Sequence, residues 1–501
     1  MRMCPSIRRL WWLKTSTGGP FGLVALLLMI VLRVEAVSPA QTINLCNFYA
    51  SPEGNGSGRT SLSPFKIETF LSLAAPGMTL CLLDGIYRGS RSMIHPAPGR
   101  SGTSSAPITI RAYHDGGALI DGEFAHIPVA LRNNSWWVLE GFNAMRSPRQ
   151  VAALTDGADG FTGPGSNNNV LRRLVLWDTD IRQNVDVVTH ASANDNLWED
   201  CAFFGTGRRV WSVYTGRRNT CRRCWARWEG NTTVRNSGPK RTIDLGYGFR
   251  PGAELATNTL WESSLATWNA WSMPQSYDGA NAVDGSRDGS HQTDYSIYQK
   301  GGTVGTETNP GEVAGHRLVG SIAYIMTREW FHNNASPAHM WGLKYGKSQV
   351  IRDGLVVIPS DYPYGREIAA FAIGPNNDSR DGIGSNTASN ITSIRRGTDS
   401  IGVSWTIRNF SISASADAVA NPWSTTGPGA NLCYRYVNGL RTTEPLWPWP
   451  MNQRIKQATA MAGSYTGPCL NCAGGRRARI ATDVTADIEA LLGAIPEKCR
   501  S

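Results

Sequence analysis

Removing a proton beside a carboxylate and expelling an oxygen leaving group needs a base, positive charge near the carboxylate and a proton donor. Three dibasic pairs supply these residue types: Arg208-Arg209, Arg217-Arg218 and Lys240-Arg241. They flank alternating, strand-like segments, so neighbouring windings of a repeated chain would align them along one outer groove suited to an anionic polymer. A lysine within such a positive cluster gives up its proton more readily, which makes Lys240 the candidate base, with Arg241 and Arg209 completing the catalytic set. Arg208, Arg217, Arg218, Tyr214 and Tyr247 are the candidate binding residues. The plainer reading of these arginines is ordinary surface ion pairing with Asp186, Asp244 and other acidic residues.

A second group is rich in oxygen. Asp278, Asp284, Asp288 and Asp294 are spaced among Gly, Ser and Asn, a composition that suits calcium with its six to eight oxygen ligands. The spacing is not that of an EF-hand loop, and Asp-Gly pairs also mark plain turns. His190, His291 and His316 have no nucleophile at motif spacing, so no hydrolytic triad is indicated. Asp178 with Asp180, or Asp156 with Asp159, are nominal carboxylate pairs for hydrolysis. Of the Trp177, Trp211, Trp225, Trp261, Trp268 and Trp271 side chains, inward ones belong to a core and outward ones can stack on sugar rings.

These residues must be positioned by a repeat. Short alternating apolar segments follow Asn134, Asn169, Asn196, Asn219 and Asn258, and from Asn169 onward the spacing is 27, 23 and 39 residues. That is a solenoid pattern with insertions in its loops. Counting from each asparagine gives an inner column Leu174, Cys201, Cys224, Ser263 and a second inner column Leu176, Phe203, Ala226, Leu265. An outer column, Arg173, Asp200, Arg223, Glu262, alternates in sign. Cys201 and Cys224 are therefore expected as stacked, buried thiols, since ladder partners seldom have bridge geometry. A second strand series follows: 185–190, 210–215, 243–248 and 294–299.

The ends need covers. Ser63-Pro64 can start a helix burying Ile67, Phe70 and Leu71, stopped by Ala75-Pro76-Gly77. Met451 to Met461 and Val484 to Leu492 read as short helices of a C-terminal extension, clamped by disulfides among Cys433, Cys469, Cys472 and Cys499. Cys221-x-x-Cys224 and Cys469-x-x-Cys472 are too far apart for a zinc ribbon. At the start, Arg8, Arg9 and Lys14 precede the apolar run Phe21 to Leu32, and Val34-Glu35-Ala36 offers a cleavage site. The run is shorter than the ~20 residues of a membrane span. The expectation is a signal peptide over 1–36, a solenoid over 37–445 and the extension over 446–501.

With 41% hydrophobic and 18% charged residues, the chain can bury a large core. Of its net charge of +10, +4 falls in the first 36 residues, and the remaining +6 is too dilute for a nucleic-acid protein.

Five motifs carry a family likeness: FYASPEGNG (48–56), APGMTL (75–80), DGIYRG (84–89), GTSSAPITIRA (102–112) and LIDG (119–122). In order and spacing they resemble the N-terminal part of secreted right-handed parallel β-helix proteins of the pectate-lyase-like superfamily. The resemblance is close over 47–145 and continues as coil pattern to about 440. It implies an all-β, right-handed parallel β-helix and a family of polysaccharide lyases and hydrolases. Fold alone does not settle function. Arg454-Ile455-Lys456 matches a polygalacturonase motif in letters only. The resulting expectation is an exported, monomeric lyase that cleaves acidic, uronate-containing polysaccharide by β-elimination with calcium, outside the cytosol or on the cell surface. The alternatives are a non-catalytic glycan-binding or adhesin-like β-helix and a glycoside hydrolase.

Overall fold

The structure is a computed structural model. It describes residues 46–155, 165–180, 185–207, 209–230, 241–245, 256–268, 295–300, 315–325, 339–344, 348–358, 369–373, 386–395, 410–413, 422–423, 432–463 and 483–500. Residues 1–36, expected to be a signal peptide, lie outside them.

Each winding contributes three strands. In one, Val170–Arg172, Val175–Thr179 and Val188–His190 follow each other, and the next winding repeats them as Leu197–Glu199, Ala202–Thr206 and Arg209–Val213. Every strand pairs in parallel with its counterpart one winding away: Val170 with Leu197, Val175 with Ala202, Val188 with Trp211. The first and second series form one 20-stranded sheet and the third an 8-stranded sheet. This is a parallel β-helix, with Trp198, Trp211, Trp261, Leu171 and Phe203 in the core that runs along its inside.

The corners explain the asparagines. Asn169 donates from Nδ2 to Asn196 Oδ1 at 3.0 Å, and Asn196 Nδ2 donates to Asn219 Oδ1 at 3.0 Å. Just before this ladder, Asn168, Asp195, Arg218 and Asn258 all have φ between 55° and 59°. Asparagine tolerates that left-handed conformation as well as the ladder position. Asn258 is therefore the turn residue, and Thr259 stands in the ladder, its N–H donating to His316 Nδ1 at 3.2 Å.

From there the expected columns slip by one residue. The inner corner column is Leu174, Cys201, Cys224, Ser264, and the next inner column ends in Ala266, not Leu265. Ser263 joins Arg173, Asp200 and Arg223 in a second left-handed turn column, with φ between 48° and 54°. Gly320 continues it, at a place where a Cβ would lie 2.5 Å from the Tyr436 ring. Glu262 belongs one residue earlier, in the strand row Arg111, Glu140, Arg172, Glu199, Arg222, Glu262, which alternates in sign across six windings. Arg222 there reaches Glu199 at 3.2 Å and Glu262 at 2.7 Å.

From Cys201 onward the inner corner column is made of hydrogen-bond donors for a reason. Cys201, Cys224, Ser264 and Ser321 each donate to the carbonyl two residues earlier, at Glu199, Arg222, Glu262 and Val319. Each also reaches a carbonyl of the preceding winding. The carbonyls of Glu199, Arg222, Glu262 and Val319 also accept the N–H of Arg173, Asp200, Arg223 and Ser263 one winding back, so the thiol or hydroxyl takes a second lone pair and its own polar hydrogen is paired, as burial requires. The thiols are free and buried, as expected. Burial pushes Cys221 up to about 11 and Cys201 and Cys224 well above the ordinary thiol range.

At the front, the helix Ile67–Leu73 buries Ile67, Phe70 and Leu71, and Cys46 is bridged to Cys81. The C-terminal extension lies along the outer face of the second strand series. With it go a hairpin (Tyr434–Val437 and Leu440–Pro445), which falls before the expected start of the extension at 446, and the helices Asn452–Met461 and Val484–Leu492, the whole tied by the Cys433–Cys499 disulfide. Cys469 and Cys472 lie outside the described residues. Trp447, Trp449, Met451, Ile455 and Ile488 pack there on Val175, Trp177, Phe204 and Trp225. Among the described residues no helix is long and apolar enough to cross a membrane.

Candidate functional site on the outer face of the third sheet

The sheet register sorts the sequence candidates. Arg209 and Arg241 begin neighbouring strands and stand side by side in the third sheet. Lys240 and Arg208, each one residue before them, lie outside the described residues, as do Tyr247, Asp278, Asp284, Asp288 and Asp294. Asp156, Asp159, His291 and Trp271 do too. Arg217 and Arg218 fall past the opposite end of the Arg209–Val213 strand, so they are not gathered with the other pairs. Arg218 grips Asp195 through two hydrogen bonds of 2.6 and 2.7 Å on the surface. Tyr214 follows the same strand, partly exposed, its N–H donating to the His190 carbonyl at 2.7 Å.

Arg209 is not an exposed groove cation; only 2% of its surface is accessible. Its guanidinium lies 3.3 Å from Asp186 and 3.0 Å from Asp244, the two partners the plainer reading named, but the pairs are buried rather than superficial. A buried guanidinium is held charged by such partners, and breaking one contact would leave an uncompensated ion. Ser212 donates from Oγ to Asp186 Oδ2 at 2.5 Å.

Trp211, Ile243 and Val188 face the core, so the adjacent row Thr189, Ser212, Asp244 faces outward by strand alternation. Before it the same row holds Ala130 and Ala153. Small residues thus give way to a hydroxyl, a second hydroxyl and a carboxylate on successive windings. Two atoms here, Asp186 Oδ1 and Thr189 Oγ1, have no hydrogen-bond partner among the described residues. Sequence reading named Asp186 and Asp244 only as ion-pair partners and passed over Thr189 and Ser212. The available signal was the run of polar residues at outward positions of an otherwise apolar series.

The other candidates have structural places. His190 is inside, pulled down to about 4 by burial, between the Ser212 carbonyl and the Trp198 indole N–H, which donates to its Nε2 at 2.7 Å. His316 serves the ladder. Asp178 is buried with φ 62°, beside Arg146 (57°) and Gly205 (97°) on adjacent windings, and accepts the Thr206 N–H at 3.1 Å. This is a stacked bulge that bends the second series toward the third. Trp211 and Trp261 are core, whereas Trp177 and Trp225 face outward but lie beneath the extension. Arg454 anchors the extension, 3.1 Å from Asp115 and donating to the Gly141 and Arg173 carbonyls, each at 3.0 Å. Among the described residues no group of three His, Cys, Asp or Glu side chains is arranged to hold a metal ion.

No protein-family model matches the chain, and no curated protein matches it in sequence. Its backbone is similar to the pectate lyase Pel9A, at 15% identity over 77% of this chain and 82% of that one, with a TM-score of 0.46. It is also similar to the GH136 lacto-N-biosidase from Eubacterium ramulus, at 12% identity over 70% and 64%, TM-score 0.41. A third is the PL6 family polysaccharide lyase Pedsa3628 from Pseudopedobacter saltans, at 12% identity over 78% and 98%, TM-score 0.36. The likeness is one of fold, in keeping with the N-terminal motifs.

Proposed function

We propose that the protein is an exported enzyme that cleaves uronate-containing polysaccharide by β-elimination on the outer face of the third sheet. The register of Arg209 with Arg241 supports this most directly, because Arg208 and Lys240 are the residues next before two strand starts about 4.8 Å apart. In this reading Lys240 removes the proton at C5. The bond from C4 to the bridging oxygen breaks, the C4–C5 double bond forms, and the leaving oxygen takes a proton from solvent water. Arg241 and Arg208 balance the carboxylate charge that builds up in the transition state. Arg209, clasped by two carboxylates, keeps its own proton and holds Asp186 and Asp244 in place. A calcium ion on Asp278, Asp284, Asp288 and Asp294 would add positive charge at the same carboxylate.

A second reading, glycoside hydrolysis, is favoured by one observation: two buried carboxylates bridged by a single guanidinium. Incubating the chain from residue 37 with a panel of uronate polymers, with and without calcium, separates the readings. New reducing ends with ultraviolet absorbance of an unsaturated product support elimination. New ends without absorbance support hydrolysis, and binding without either supports a glycan-binding protein. For the lyase, Lys240→Ala should lower kcat/KM by about a hundredfold or more; unchanged turnover would remove Lys240 from the site.

A further inference from the structure

We infer that Asp186 and Thr189 are substrate-contacting residues, taking ring hydroxyls of the bound polysaccharide at Asp186 Oδ1 and Thr189 Oγ1. The inference rests on the reading above in placing polysaccharide on the third sheet, but not on how the sugar is cleaved.

A carboxylate accepts hydrogen bonds through both oxygens. In Asp186 only Oδ2 is served, by Ser212 Oγ at 2.5 Å and Arg209 Nη1 at 3.3 Å. Oδ1 is buried on a residue 7% exposed and has no partner among the described residues. Leaving such an atom dry is costly, and native proteins rarely do so without a use for it. Thr189, 6% exposed, sits in register with Ser212 in the outward row, and its hydroxyl is likewise unpartnered among the described residues. Two idle polar atoms on one outer face, one an obligate acceptor and the other able to donate or accept, match a pyranose edge bearing neighbouring hydroxyls. The Ser212 and Arg209 bonds fix the carboxylate's orientation before any sugar arrives, which limits the ordering cost of binding.

Asp186→Asn and Thr189→Val keep shape and remove the required chemistry. In Asp186→Asn the carbonyl oxygen can still accept from Ser212 and Arg209, and Arg209 retains Asp244 as its counter-ion. Thermal midpoints without ligand should therefore stay level or rise in both variants. Dissociation constants for a uronate oligosaccharide panel and a parallel panel of neutral oligosaccharides should rise about tenfold or more. If the wild-type protein ignores uronates yet binds a neutral glycan, and Asp186→Asn loses that binding, the lyase reading fails and this inference stands. It is overturned by unaltered affinity in Asp186→Asn, by a midpoint falling 4 °C or more in both variants, or by a wild-type protein that binds neither panel. A midpoint raised by calcium chloride alone in wild type but not in Asp186→Asn would make Asp186 a metal ligand and overturn it too.

Discussion

Asn196→Ala tests the stacking that holds every other residue in place. The Asn196 side chain makes four hydrogen bonds. Its Oδ1 accepts from Asn169 N–H and Asn169 Nδ2, each at 3.0 Å, and its Nδ2 donates to the Ser166 carbonyl at 2.9 Å and Asn219 Oδ1 at 3.0 Å. At about 1 kcal/mol net for each buried bond, alanine should cost about 4 kcal/mol. The loss is graded rather than total, because Asn169 Nδ2 still reaches the Asn134 carbonyl and Asn219 Oδ1 still accepts the backbone N–H of residue 196. Against a typical total stability of about 5–15 kcal/mol, this is a large fraction. Asn196→Asp should be no milder, since it sets a carboxylate against Asn219 Oδ1. The control is Asn194→Ala on the outside of the same corner, where the side chain accepts the exposed Arg217 N–H at 2.6 Å, and it should cost about 1 kcal/mol or less. Urea midpoints of the three variants rank the effects. If Asn196→Ala proved no more damaging than Asn194→Ala, the ladder would not be what binds one winding to the next.

Two further predictions concern the corner column and the extension. Ser264→Ala removes the acceptor of the Cys224 N–H at 2.9 Å and the donor to the Glu262 carbonyl at 2.7 Å, so urea titration should show a loss of about 2 kcal/mol, whereas Ser264→Cys, the residue used one winding earlier, should cost less than about 1 kcal/mol. Burial, aided by Asp483 and opposed by Arg227, raises the Asp487 carboxyl to about 6; docking of its helix is therefore favoured below the unfolded value near 4 and loses that contribution as pH rises through 6, so acid should stabilise wild type over Asp487→Asn by on the order of 2 kcal/mol between pH 7 and 4.

The winding was legible because its signals are local and repeated. Alternation gave the strands, and the asparagines marked the corners even where they served two different positions. The slip at Asn258 came from that double use: only tertiary pairing decides whether an asparagine sits in the left-handed turn or in the ladder. Cys201 and Cys224 were legible as stacked thiols, but their purpose emerged only when Ser264 and Ser321 were seen making the same bonds. The site was less legible. Sequence adjacency drew Arg217 and Arg218 to Arg208 and Arg209, yet a strand separates them, and adjacency carries no information about which end of a strand a residue occupies. Asp186 and Asp244 are far apart in sequence and become one cluster only through Arg209.

The outer faces of the helix are not equivalent, and the differences narrow where a polymer can lie. On the first series, Arg222 pairs with Glu199 and Glu262 of the same row, and Asn438 and Gly439 of the hairpin donate to Glu262 from above. On the second, Trp177 and Phe204 stack with ring centres 5.4 Å apart, Trp225 follows, and Arg227 lies over the Trp225 ring at 4.8 Å. That column has the chemistry of a sugar platform, but Trp447, Trp449 and the C-terminal helices occupy it. The third face presents Asp186 Oδ1 and Thr189 Oγ1, buried and without hydrogen-bond partners among the described residues, and among the described residues the C-terminal helices do not pack on it as they do on the second. The insertions agree with this. The first and second series are joined by turns of two residues in the windings from Val170 to Ile325, whereas the chain between the second and third series varies, running over 180–187, 207–208, 231–240 and 269–294 in successive windings. Long connections on a rigid scaffold are where binding residues concentrate. The longer connections, 231–240 and 269–294, enter the third series at Arg241 and Tyr295, the end of the sheet at which Arg209 also begins its strand.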